Sequence, residues 1–162
     1  MKKVILDHRE KNPETTKRNV KAWHSSWQTH LENPNFQPLT DIVLNACSFV
    51  SQGYFQTQDL EFSIFNCWAS MYEKGEYTVR HAHFPSDFAA TYYVDVEEGS
   101  SPIIFENLQD SEVSPDPSHN SKPLSIQPKN GMLAIWPGIL HHEVPPTPTK
   151  RMVVAMNCDS KR

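Results

Sequence analysis

Most of the chain's thirteen prolines lie beyond residue 100, and they set the strongest limit on its architecture. Proline lacks an N–H and breaks helix interiors, so the second half must be built from strands and loops. Runs rich in β-branched and aromatic residues, separated by turn residues, fit that requirement. They predict strands over Phe62 to Tyr72, Val79 to His83, Ala89 to Val96, Pro102 to Phe105, Leu124 to Ile126, Met132 to Trp136 and Met152 to Asn157. The stretch "ENLQDSEVSPDPSHNSKP" reads as a long loop, of the kind that flanks active sites.

Ahead of the strands the pattern is helical. "PLTDIVLNACSFVSQGYF" predicts a helix that Thr40 caps and Gly53 ends, with Ile42, Val43, Ala46, Phe49 and Val50 as its apolar face. "TTKRNVKAWHSSWQTHLEN" is also helix-compatible, though its apolar spacing is imperfect, and would carry Trp23 and Trp27 four apart against the strands. Trp68 and Trp136 fall in strands and read as core. The plan is α+β and mainly β. At 162 residues it suits one domain over 1–162, with a helical layer over about 1–58 and a β core over about 60–158.

Charge and cysteine usage narrow the partners. With 15 Lys+Arg against 19 Asp+Glu there is no basic stripe for nucleic acid and no polybasic tract for a membrane. Cys47, Cys67 and Cys158 are odd in number and widely spaced, as reduced core thiols of an intracellular protein would be. The N-terminus has the composition of neither a signal peptide nor an anchor. No glycine-rich phosphate loop and no nucleophile motif is present in the sequence.

The chemistry concentrates in two histidine motifs. Alternate side chains of a strand share a face, so His81 and His83 in "RHAHF" can meet one ion. A third imidazole must come from elsewhere, and "GILHHEV" offers His141 or His142. Three imidazoles, or two and a carboxylate, on one side of a metal leave positions open for substrate and oxygen, as in non-heme Fe(II) oxygenases. Taken singly each motif is weak; a lone His-x-His is more often a surface pair or hydrogen-bonded core. Their order along the chain is what gives them weight.

That order resembles the core of the 2-oxoglutarate and Fe(II)-dependent oxygenases, on the branch of prolyl hydroxylases and small phage or bacterial relatives. The likeness is carried by "MYEKGEYTVRHAH", "ATYYVD" and "LAIWPGILHHEVPPTPTKRMVVAMN", within about residues 62 to 157. It implies a double-stranded β-helix, of jelly-roll or cupin-like form, with the N-terminal helices packed on it. It also implies Fe(II), 2-oxoglutarate and O2 as cofactor and cosubstrates, with ascorbate as reductant. His81 takes the place of the first iron ligand. The pattern His-x-Val-x-Pro starting at His142, with Arg151 nine residues on, assigns the distal ligand to His142 and leaves His141 beside it. Arg151 would grip the far carboxylate of 2-oxoglutarate, helped by Tyr72 and Tyr93. Arg151, Val153, Ala155 and Asn157 alternate onto one strand face, which turns Asn157 toward cosubstrate or substrate.

One position departs from the family pattern: His83 stands where most members carry a carboxylate. Three readings stay open. The triad is three histidines, or Asp87 supplies the carboxylate with His83 behind it, or the position is empty. The resemblance implies hydroxylation of a C–H bond in a protein or peptide side chain, with a small-molecule substrate as the alternative. It implies a cytoplasmic enzyme, in the host's cytoplasm if phage-encoded. The competing functions are a cupin-like three-histidine dioxygenase without cosubstrate, which has no need of Arg151, and a non-catalytic β-helix binding module.

Overall fold

The fold is described from a computed structural model over residues 1–14, 19–55, 60–106 and 123–161. Most of the long loop read after residue 106, and the start of the first helix-compatible stretch, therefore lie outside the described residues. Fourteen elements follow in order: α1 (Lys2–Lys11), β1 (Val20–Lys21), β2 (Trp23–His24), α2 (Thr29–Glu32), a 3-10 turn (Pro34–Phe36), α3 (Gln37–Phe55), β3 (Phe62–Tyr72), β4 (Tyr77–His81), β5 (Phe88–Val96), β6 (Ile103–Phe105), β7 (Leu124–Ile126), β8 (Leu133–Pro137), β9 (His142–Val144) and β10 (Arg151–Ser160).

The strands form two five-stranded antiparallel sheets, in the orders β2-β3-β10-β5-β8 and β1-β4-β9-β6-β7. This is a double-stranded β-helix, with helices covering the outer face of the first sheet. The long central strand β10 shows how one sequence serves two cores. Met152, Val154, Met156 and Cys158 face the helices, packed with Val43 and Phe36. The alternate residues Arg151, Val153 and Ala155 line the space between the sheets. Strands buried on both faces lose the polar alternation of a half-exposed strand, and "MVVAM" is apolar throughout for that reason. Each such buried Val or Met contributes about 1.5–3 kcal/mol. All three cysteines are buried free thiols, as the sequence implied.

The helical layer differs from expectation. Helix α3 starts at Gln37, behind a 3-10 turn in which the Asn33 side chain accepts from Asn35 N at 3.1 Å. Thr40 is thus inside the helix, where its hydroxyl donates to the Gln37 carbonyl at 2.8 Å. The helix runs through Gly53. Its buried row is Leu39, Val43 and Cys47, whereas Ile42 and Phe49 are exposed. The sheet takes the i, i+4, i+8 row that contains the small Cys47, which permits close approach of helix to sheet.

The stretch read as a first helix holds two short strands and one helical turn instead. Val20 pairs with Thr78, and Trp23 pairs with Met71. Ser25 then binds β3 twice, its N–H donating to the Ala69 carbonyl and its hydroxyl accepting from Ala69 N at 2.8 Å. Serine side chains compete in this way with helical hydrogen bonds. Trp23 and Trp27 consequently part: Trp23 joins the helix-side core, while Trp27 lines a groove near the histidines. Helix α1 lies ahead of the stretches read as helical and is anchored by the buried Ile5 and His8. Among the described residues no helix is long and apolar enough to cross a membrane.

Candidate metal centre

Strands β4 and β9 pair so that His81 stands directly opposite His142. His83 joins them from the turn beyond β4, and the three ring nitrogens lie within 4.8 Å of one another. The ring centroids are 4.3 Å apart for His81–His142, 4.9 Å for His81–His83 and 5.0 Å for His83–His142. Among the described residues this is the one cluster of three or more side chains able to hold a metal. His83 does not sit on the strand, as alternation predicted. β4 ends at His81, because Pro85 cannot donate to a sheet ladder. The turn is held by His83 N donating to the Gly138 carbonyl at 2.8 Å and Ser86 N to the His83 carbonyl at 2.9 Å.

Backbone carbonyls fix which nitrogen each ring presents. His81 Nδ1 faces the Val79 carbonyl at 2.8 Å, and His142 Nδ1 faces the Leu140 carbonyl at 3.0 Å. A carbonyl only accepts, so both Nδ1 atoms carry the proton and both Nε2 atoms offer lone pairs inward. His83 Nε2 lies 3.3 Å from His142 Nε2. Burial pushes the His83 pKa down to about 3, reinforced by repulsion from His81 and His142. Burial likewise takes His142 to about 4, and lowers His81. At neutral pH the cluster is three uncharged imidazoles, the protonation state that a divalent cation requires.

Behind the histidines an interior cavity of about 50 Å³ is lined by Tyr72, Tyr93, Thr91 and Arg151. Arg151 is only 5% exposed. Its Nη1 donates to the Ser101 carbonyl at 3.0 Å, its guanidinium stacks 4.4 Å from the Tyr72 ring centre, and its buried Nε has no partner. None of the ion pairs among the described residues involves it. A buried cation without a carboxylate is costly and suits an anionic guest. The Tyr72 hydroxyl shares a 2.6 Å hydrogen bond with Thr78. Burial raises the Tyr93 pKa to about 12, with Arg151 opposing it, so its phenol keeps its proton.

In front of the histidines lies an open groove of about 560 Å³, walled by Trp27, Phe65, Trp68 and Phe84. Trp27 meets Trp68 edge-on at 4.7 Å. Asn157 shares the strand face of Arg151 but stands six residues along it, roughly 20 Å of strand, and so lines this groove rather than the cavity. Its Nδ2 donates to Asn66 Oδ1 at 3.3 Å. Asp87 is turned away from the cluster: its Oδ2 accepts from Ser160 N at 2.8 Å and from the Ser160 hydroxyl at 2.7 Å. His141 is exposed on the loop, 3.9 Å from Glu106. The sequence reading missed Thr78, Ser101 and Gly138; a carbonyl acceptor such as that of Ser101 leaves no trace in a sequence. Trp136, read as core, also packs edge-on against the His142 ring at 4.9 Å.

A family described as "Putative 2OG-Fe(II) oxygenase" matches residues 66–157, which include the histidines, both tyrosines and Arg151. The chain belongs to that oxygenase family. No curated protein matches its sequence. Among solved structures, a Trichoplax adhaerens prolyl hydroxylase in complex with a hypoxia inducible factor peptide fragment superposes with TM-score 0.67 at 15% identity, covering 97% of this chain and 75% of that one. A Pseudomonas putida prolyl-4-hydroxylase gives 0.63 at 14% identity, covering 98% and 83%. A Burkholderia pseudomallei oxidoreductase of the 2OG-Fe(II) oxygenase family gives 0.55 at 13%, covering 69% of this chain; the matched part spans 49% of that protein. At these identities the superpositions support the β-helix fold of this oxygenase and nothing finer.

Proposed function

We propose that the chain is an Fe(II)- and 2-oxoglutarate-dependent oxygenase that hydroxylates a C–H bond in a protein or peptide side chain, in the manner of prolyl hydroxylases. The observation that carries this reading is the buried guanidinium of Arg151, which has no carboxylate partner among the described residues and whose Nε makes no hydrogen bond, on a cavity that the three neutral imidazoles also line. His81, His83 and His142 would hold the metal. Three neutral ligands leave an Fe(II) ion its full double charge, which favours a dianionic cosubstrate more than a site containing a carboxylate would. When bound, Fe(II) with 2-oxoglutarate and O2 supplies oxidative decarboxylation to succinate and CO2, coupled to hydroxylation of the substrate.

The chain's own residues do the orienting. Arg151 would pair with the far carboxylate through its fork of donors, a task for which lysine is a poorer substitute. The protonated phenol of Tyr93 is a further donor on the cavity wall, while the Tyr72 ring supports the guanidinium from 4.4 Å. The carbonyls of Val79 and Leu140 fix the imidazole tautomers. Trp68, His81 and His83 border both the inner cavity and the outer groove, so cosubstrate and substrate would approach from opposite sides. The groove's aromatic walls suit an extended peptide, and the Trichoplax enzyme in its peptide complex has the same fold. A cosubstrate-free three-histidine dioxygenase gives Arg151 no role.

The test is succinate formation from 2-oxoglutarate by purified protein with Fe(II), ascorbate and O2. Succinate should form, stop in His142→Ala, and rise when a pool of proline-containing peptides is added. No succinate in the wild type contradicts the enzyme reading. Succinate without stimulation by peptides contradicts the substrate class.

A further inference from the structure

We propose that Gly138 is a positioning residue that sets His83 in the cluster, an inference that rests on reading His81, His83 and His142 as the metal ligands. His83 is the only one of the three outside a regular strand, so its placement depends on the turn over residues 82–87. Gly138, which follows β8, holds that turn at both ends. Its carbonyl accepts from His83 N at 2.8 Å, and its N–H donates to the Asp87 carbonyl at 3.0 Å. The two segments approach so closely that a Cβ on residue 138 would overlap the Ser86 carbonyl oxygen and lie 3.0 Å from its carbon and 3.5 Å from the His83 carbonyl oxygen. These are backbone atoms, which cannot swing aside as a flexible side chain would.

The same turn reaches the distal ligand. Leu140 N donates to the Pro137 carbonyl at 3.0 Å, and the Leu140 carbonyl receives His142 Nδ1. The short segment Pro137 to His142 thus fixes the backbone of one ligand and the tautomer of another. His81 is placed by the β4–β9 pairing and by the Val79 carbonyl, neither of which involves Gly138. Any side chain at 138 must part the two segments. His83 moves out of the cluster first, because its placement depends on the hydrogen bond to the Gly138 carbonyl.

The experiment is Co(II) titration of metal-free wild type, Gly138→Ala, His83→Ala and the double variant, followed by the visible d–d absorption of the ion. Gly138→Ala should bind Co(II) at least about tenfold more weakly, the scale on which residues that orient ligands act. It should show the spectrum of His83→Ala and add no further loss in the His83→Ala background. Wild-type affinity in Gly138→Ala overturns the proposal. So does an equal loss with and without His83, which would mark a general packing defect.

Should Gly138→Ala fail to fold, hydrogen exchange of the wild-type His83 amide decides. Protection well above that of open turns supports the clamp, and exchange at the rate of an unbonded loop amide overturns it. No Co(II) binding in the wild type would instead sink the metal-site reading, and the exchange measurement still judges the clamp.

Discussion

Arg151→Met separates the cost of a buried cation from its use. Arg151 is 5% exposed, and its guanidinium has one hydrogen bond, to the Ser101 carbonyl, and stacks on Tyr72. Those contacts return about 1.5–3 kcal/mol for the charge-assisted hydrogen bond and up to about 2 for the cation–π contact. Desolvating a cation costs several kcal/mol, and replacing buried ionic groups by apolar residues of similar volume is often neutral or stabilising by about 1–4 kcal/mol. Metal-free Arg151→Met should therefore melt at or above the wild-type temperature.

Its ligand response should collapse. Losing a bidentate, charge-assisted pair to the 2-oxoglutarate carboxylate removes about 3 kcal/mol, roughly 100-fold in affinity. At a cosubstrate concentration of about 100 times the wild-type Kd, ligand stabilisation falls from about 2.7 to about 0.4 kcal/mol. At about 2–4 °C per kcal/mol for a chain of this size, the shift in Tm drops from about 5–11 °C to about 1–2 °C. The assay is a thermal melt with inert Mn(II), with and without 2-oxoglutarate. An undiminished shift in Arg151→Met refutes the carboxylate role, and a metal-free melt several degrees below wild type refutes the energetic reasoning.

Two further outcomes follow from the site. His83→Ala should lower metal affinity by tenfold or more while Asp87→Ala leaves it nearly unchanged, because Asp87 is bound to Ser160; the opposite order in a Mn(II) or Co(II) titration would reassign the second ligand. Stability of the metal-free protein should fall in acid. His24 and His142 are each lowered from 6.5 to about 4, chiefly by burial. Between those values the unfolded chain takes up protons that the folded one refuses, so stability is full above about pH 6.5 and lost on descending toward 4. At pH 5 each such histidine costs about 2 kcal/mol, readable as a lower urea midpoint than at pH 7.5. A midpoint that does not fall contradicts the buried neutral state.

Much of the fold is legible wherever a segment's own residues decide its state. Strands β3 and β7 fall where aromatic and β-branched runs place them. The site histidines and Arg151 are legible through their order and spacing. What the sequence conceals is decided by partners distant in the chain. Two-residue strands such as β1 and β2 exist only because Thr78 and Met71 are there to pair with them. The buried face of α3 follows from what the sheet can accommodate, so Ile42 and Phe49 lose to the row of Leu39, Val43 and Cys47. His83 reaches the cluster through a turn and not through strand alternation, and the glycine that seats that turn lies more than fifty residues away.

If His81, His83, His142 and Arg151 serve one site, Fe(II) and 2-oxoglutarate bind there together. The most direct measurement is the visible absorption of purified protein given Fe(II) and 2-oxoglutarate without oxygen. A charge-transfer band that needs both additions and vanishes in His142→Ala is the predicted result. Iron binding without the band contradicts the cosubstrate role of Arg151 and its cavity, and no iron binding at all contradicts the metal centre.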